Sequence, residues 1–403
     1  MKKTFIFPLL TALLALNSCE LLSPDEVQNP NVEASDFATS PQAMQVWVNG
    51  TNANFAVAVA TFAEYTGLLS DDLLNNSSRS SKTYDQLDIH YTDNEVFKLS
   101  THVGKMLQMT DFGLHTIAVN DAATTPSHLF SLHYIRAYAY LLGGENFVAL
   151  PREARGVVLD GDRLLEEALA ELQATEPLAL SAEHKALVAL LEARALRGLG
   201  RMAEAEAEAR SSLANAADLV QCVQFDALNG FNNSLHEYIA GGLFTIAPQL
   251  SAQQAKFPMT DYWNQPLSIA KSEEAHLILA EAAVLAERYD EARQHLQSLL
   301  ELAAVRPASV TIVECETAAI GRATDRLAML ELIYDLRQQV FFGEGRRASD
   351  MGLRLPISEV EFNEQGDLPS SYKEAVIPAY LQSIRSEVDK HTDISKMLVN
   401  TLY

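Results

Sequence analysis

The chain has 403 residues, 48% hydrophobic and 21% charged, a globular composition with enough apolar mass for a large core. Its formal net charge of −23 sets aside nucleic acid and anionic lipid surfaces as partners, because a field of that sign repels both.

The first local signal is N-terminal. Lys2 and Lys3 precede an apolar run from Phe5 to Leu16, which is too short to span a bilayer as a helix. LNSCELL follows, with Leu16 three positions before Cys19 and a small Ser18 directly before it. This is the pattern of a bacterial lipoprotein box: residues 1–18 read as a signal peptide, cleaved so that Cys19 carries the lipid. The alternative is an ordinary secretory signal with an incidental cysteine. Several palmitate-type acyl chains on one cysteine give stable anchoring, since each buried methylene adds roughly 0.8 kcal/mol. Residues 19–42 are rich in Pro, Asn, Ser and Asp and read as a tether. Cys222 and Cys315 then remain, and the sequence leaves open whether they form a disulfide or two separate thiols.

From Ala43 helical periods dominate, and 43–403 reads as one domain. Residues 43–69 form one or two largely buried helices, with Trp47 among core residues. Residues 70–95 (SDDLLNNSSRSSKTYDQLDIHYTDNE) break the pattern as a long polar loop, a segment type that often carries function. Helices resume over most of 96–120. Residues 132–147 read as a helix that stops at Gly143-Gly144. Residues 162–174 are amphipathic, with Leu164, Leu165, Ala168, Leu169 and Leu172 on one face.

A repeat follows. ALVALLEARALRGLGRMAEAEAEARSSL (186–213) and AHLILAEAAVLAERYDEARQHLQSLL (275–300) each read as helix, short turn, helix, with Gly200 and Glu287 aligned in the turns. Ala205, Ala209 and Ala292 let paired helices approach closely. The pattern is that of tetratricopeptide-like helix pairs, so the fold class is all-α. Helix pairs are expected around 132–213 and 272–351, with an irregular insertion around 214–271 rich in Asn, Gln, Phe and Tyr.

Catalytic and metal signatures are missing. Glu273 and His276, with Glu281 after them, have a metal-like spacing, but no second Glu-x-x-His completes a bundle site, so they read as capping and solvated-face residues. Neither a Gly-x-Ser-x-Gly elbow nor a phosphate-binding loop occurs, and GEGRRAS (343–349) lacks the spacing of one. The sequence therefore offers no cofactor, no metal and no case for an enzyme.

Several segments together resemble the SusD/RagB family of outer-membrane nutrient-binding lipoproteins. They are the lipobox at Cys19, IRAYAYLLGGENFVALPRE (135–153), LLEEALAELQ, KSEEAHLILAEAAVLAERYDEARQHL (271–296) and IYDLRQQVFFGEGRRASDM (333–351). In the last, Arg337, Glu344, Gly345, Arg347 and Asp350 fall on matching positions, while Leu336 and Val340 replace two glutamates of the family pattern. HTDISKMLVNTLY stands where the family usually has an Asn-Pro-rich ending.

The resemblance implies a protein lipid-anchored in the outer membrane and facing outward, as a partner of a TonB-dependent (SusC-like) transporter. It would bind a carbohydrate or peptide and pass it on. Sugar rings stack on flat aromatics while amides bond their hydroxyls. That makes Trp263 the best ligand candidate, with Tyr262, Asn264 and Gln265 beside it and Tyr84 and Tyr91 in the long polar loop as secondary ones. The alternative for Trp263 is a satellite core residue packing the insertion onto the helices. Arg337, Glu344, Arg347 and Asp350 flank a glycine turn and read as a structural charge cluster that orients helices. The rival to nutrient capture is a lipid-anchored, tetratricopeptide-like protein–protein scaffold in the cell envelope.

Overall fold

The computed structural model describes residues 37–77, 80–153, 156–381 and 394–402; Cys19, the signal peptide and the tether up to residue 36 lie outside them. The chain opens with α1 (Ala43–Leu69), one uninterrupted helix buried along most of its length, and α2 (Asn94–Phe112), extended by a π-helical turn at Gly113–Ile117. The helix pairs follow: α3 (Pro126–Asn146) with α4 (Gly161–Thr175), then α5 (Ala182–Gly198) with α6 (Met202–Asn215). A short α7 (Ser234–Ala240) lies in the insertion, and α8 (Ser272–Leu285) with α9 (Tyr289–Val305) forms the next pair. Next come α10 (Thr317–Arg322), α11 (Arg326–Val340), the single turn α12 (Arg347–Asp350) and α13 (Glu359–Gln365), with α14 (Ile394–Leu402) last.

Local chemistry sets the helix starts. Thr125 and His128 form a reciprocal capping box across Pro126, the first residue of α3, and Asp160, Ser181 and Asp325 each accept a bond from the backbone N–H three residues on. The two aligned repeat turns are built alike. Gly200 (φ 73) and Glu287 (φ 59) are both left-handed, and Arg201 and Arg288 donate back to Leu196 and Ala283 at 2.9 and 2.8 Å. Ala205, Ala209 and Ala292 are fully buried at the helix contacts. The expected tetratricopeptide-like scaffold is therefore present.

Gly143 and Gly144 do not end their helix, which runs on to Asn146. A side chain at Gly144 would lie 2.7 Å from the Gly161 carbonyl and 2.8 Å from Leu165, so glycine here permits α3 and α4 to touch.

Among the described residues six short strands pair two by two: β1 (Leu73–Asn75) with β5 (Phe244–Ile246), β2 (Ala149–Pro151) with β3 (Val158–Asp160), and β4 (Val220–Val223) with β6 (Leu267–Lys271), all antiparallel. The polar stretch 70–95 and the insertion 214–271 are thus more ordered than their composition suggests. β4 and β6 close the base of the insertion, and β1–β5 stitches it to the polar stretch. Cys222 and Cys315 are both free thiols. One large core runs from α1 through α8, a second joins α8, α9, α11 and α14, and a third gathers around Trp47, whose indole N–H donates to the Met109 carbonyl at 2.8 Å. Among the described residues no helix is long and apolar enough to cross a membrane.

Candidate functional site

The insertion carries the most exposed aromatic surface of the predicted set. Asp261 adopts a left-handed conformation (φ 52), which Asp tolerates better than most residues, and a 3₁₀ turn at Tyr262–Asn264 follows. The turn is fixed from two sides. Asn264 donates to Asp261 Oδ1 at 2.7 Å and accepts from the Ala227 N–H at 3.0 Å. Asn233, fully buried, donates its N–H to the Trp263 carbonyl at 2.9 Å and its side-chain amide to the Gln265 carbonyl at 2.7 Å, while capping α7 through His236.

This frame presents two rings. Tyr262 and Trp263 have centroids 4.2 Å apart and planes inclined at 42°. Trp263 is 40% exposed, not packed away as a satellite core residue, and the insertion also exposes Leu228 (97%) and Met259 (64%). Leu228 directly follows Ala227, the residue held by Asn264. An apolar platform beside amide and carboxylate groups suits the weakly polar face of a sugar ring or an aromatic or aliphatic side chain.

Asn264 and Gln265 have a different role from the one their residue type suggests. Asn264 uses both ends of its amide inside the loop, and Gln265 donates to the Asp261 carbonyl at 3.3 Å. They shape the platform. Sequence reasoning missed Leu228, Met259, Asp261 and Asn233. The adjacent Gly230 and the Asn-rich run 229–233 are the signal that a compact turn stands there.

Tyr84 is a correction. It is fully buried and packs edge-on to Tyr65 at 5.9 Å, because residues 80–86 coil into a 3₁₀ helix laid on α1 instead of forming an open loop. Tyr91 is half-buried. It meets Phe362 edge-on at 6.3 Å under the Lys373 ammonium, and its carbonyl accepts from Glu359, so its contacts are with the 359–374 segment and not with the insertion.

The charge cluster is a buried lattice. Arg337 grips Asp350 at 2.8 and 2.9 Å, and Arg347 grips Asp71 at 2.8 and 3.0 Å. Glu344 receives Lys271 at 2.5 Å and Lys256 at 3.3 Å. Asp71 belongs to the polar stretch and both lysines to the insertion, so the cluster fastens both irregular segments to α11 and α12. Burial works against the charge of Asp350, but Arg337 and Arg197 outweigh it and hold the carboxyl well below the usual range. Burial lowers Lys256 to about 8 although Glu344 opposes it, and raises Asp72 to about 7 with help from neighbouring Asp71.

The Glu273–His276–Glu281 spacing holds no metal cluster, and its carboxylates are not solvated. Glu273 is fully buried and bound by Arg306 at 2.9 Å, Glu281 is bound by Arg197 at 2.7 Å, and His276 faces His295 with the Nδ1 atoms 3.4 Å apart. Among the described residues no three His, Cys, Asp or Glu side chains converge for a metal.

No family model matches the sequence, and no curated protein matches it. Solved structures do. A SusD superfamily protein from Bacteroides fragilis superimposes with a TM-score of 0.64 at 16% identity, covering 82% of this chain and 99% of that one. A SusD-like carbohydrate binding protein from Bacteroides vulgatus gives 0.57 at 14% identity, covering 76% and 82%. A SusD superfamily protein from the same species gives 0.57 at 10% identity over 90% and 98%. The chain therefore has the SusD-like fold, as the sequence segments implied.

Proposed function

We propose that this protein is a lipid-anchored, outer-membrane binding protein that captures an oligosaccharide or another small polymer fragment and delivers it to a TonB-dependent transporter. The observation that carries the reading is the Tyr262–Trp263 platform, held open on a scaffold of SusD-like fold. A solved neighbour of that fold is described as carbohydrate binding, which supports a glycan as the ligand. Binding is the mechanism: the ligand stacks on the ring pair. The lipobox at Cys19 supports the anchor and the outer-membrane placement.

The test is recovery of the native protein from its own membranes in gentle detergent, followed by glycan-array binding of the purified chain. A TonB-dependent barrel at near-equal amount, with oligosaccharide binding lost in Trp263→Ala, supports nutrient capture. Recovery with periplasmic assembly proteins alone, and no glycan bound, overturns it in favour of the envelope scaffold.

A further inference from the structure

A second cavity lies away from the aromatic platform. It is a cleft of about 410 Å³ where α5, α8, α11 and the 346–354 turn meet. That volume lies within the range of small-molecule sites. Its walls are crowded with charge, and the charges can be assigned pair by pair. Arg194 holds Glu145 through two bonds of 2.6 Å. Arg197 holds Glu281 at 2.7 Å and reaches Asp350 at 3.1 Å, and Arg337 closes on the same Asp350 from behind. Arg346 holds Glu274. Four guanidinium groups thus meet four carboxylates in largely bidentate geometry, and these carboxylates have little capacity left for a cation.

Arg354 is the fifth guanidinium and has no such match. Among the described residues no carboxylate lies within ion-pair distance of it, and its one hydrogen bond is from Nη1 to the Gly144 carbonyl in the last turn of α3. A guanidinium has five N–H donors in a planar fork, so most of this one remains available. Ser349, half-buried in the same wall, adds a hydroxyl.

We propose that this cleft binds a small oxyanion, the phosphate, sulfate or carboxylate group of a solute, on the open edge of Arg354 with Ser349 as a second donor. The surplus positive charge, the spare planar donors and a walled volume of this size converge on that chemistry. A neutral ligand would leave the fork uncompensated. Burial already lowers the proton affinity of Arg354 against the distant pull of Glu145 and Asp162, and an anion would supply the missing partner.

The site is independent of the glycan reading, and its test keeps the two apart. The purified lipid-free chain is titrated calorimetrically at constant ionic strength with inorganic phosphate, sulfate, galacturonate and, as the neutral control, galactose. Saturable binding of at least one anion is expected, with galactose silent at this site. Phosphate or sulfate alone would identify a free-ion site, and galacturonate alone a sugar-acid site. Arg354→Gln should weaken the anion roughly ten- to a hundredfold, the ordinary consequence of losing charged hydrogen bonds. Arg354→Lys should recover part of the affinity, and Trp263→Ala should leave it unchanged. No saturable anion binding to the wild-type chain, a result that needs no variant to fold, overturns the proposal. Undiminished binding in Arg354→Gln does so too, and would leave Arg354 as a cap on the end of α3.

Discussion

Arg347 and Asp71 stand 276 positions apart in the chain and meet as a bidentate pair, Nε and Nη2 to the two carboxylate oxygens at 2.8 and 3.0 Å, with both side chains buried. The pair joins the turn after α11 to the polar stretch after α1. Removing one member leaves the other charged and unpaired in the interior. Asp71→Asn is therefore expected to cost about 3–5 kcal/mol in urea denaturation, whereas replacing both residues with leucine should cost less. A loss under about 1 kcal/mol in the single variant would mean that water reaches Arg347.

Trp263 and Tyr84 should separate binding from folding. Trp263 is partly exposed, so Trp263→Ala is expected to move the melting temperature little while weakening oligosaccharide affinity by roughly tenfold or more, the ordinary scale of a buried aromatic contact in a complex. Tyr84 is fully buried, so Tyr84→Ala should cost about 3–5 kcal/mol of stability and leave the affinity of the folded fraction unchanged. Calorimetry beside a thermal melt on each variant reads both effects.

Two glycines with nearly equal φ should respond unequally to alanine. Gly200 (φ 73) opens onto free space, so Gly200→Ala carries only the left-handed penalty of about 1–2 kcal/mol. Gly345 (φ 74) faces the Ala63 backbone nitrogen, 3.3 Å from where its Cβ would stand. Gly345→Ala should exceed Gly200→Ala in denaturation midpoint shift, because α1 must also move. Equal shifts would show that the close approach relaxes without cost.

Asp72 gives a pH dependence of definite sign. Its carboxyl is raised from 3.8 to about 7 by burial, with Asp71 adding to the shift, so between those values the folded chain keeps a proton that the unfolded chain has lost. The associated stability is fully present below about 4 and is lost as pH rises through about 7. Asp72→Asn removes this loss. The melting temperature of the variant relative to the wild type should therefore climb from pH 5 to pH 8, and a flat difference across that range would refute the assignment. The comparison is made between variants because His236, lowered to about 4 chiefly by burial, acts in the opposite sense in the whole protein over the same range.

The helical scaffold was legible because its physics is local. Period 3.6, small residues at the contacts of α6 and α9, and matched turns at Gly200 and Glu287 all lie within short windows of sequence. The fold of the polar stretch was not legible. Tyr84 and Asp71 look solvated by composition, and it takes contacts such as those with Tyr65 of α1 and the distant Arg347 to bury them. Gly143-Gly144 misled for a related reason: a glycine pair reads as a stop signal until the neighbouring helix that requires it is known. At the platform, Trp263 and Tyr262 could be named from residue type. The assignment of Asn264 to the frame could not, since it depends on the Ala227 N–H, 37 positions away.

Val223 and Leu267 face each other across the β4–β6 ladder. The segment between them leaves and rejoins the helical pairs at this neck, and on the way it is fastened back by β1–β5, by Lys256 on the Phe342 carbonyl and Glu344, and by Gln253 on the Ile312 carbonyl. Length or composition can therefore change between these fastenings without shifting the register of α6 against α8, provided that β1–β5, Lys256 and the core residues Leu235 and Phe257 keep their places. The exposed turn at Tyr262–Trp263 is thereby an exchangeable part: a different sequence between those fastenings would present a different surface while the helical frame stays as it is.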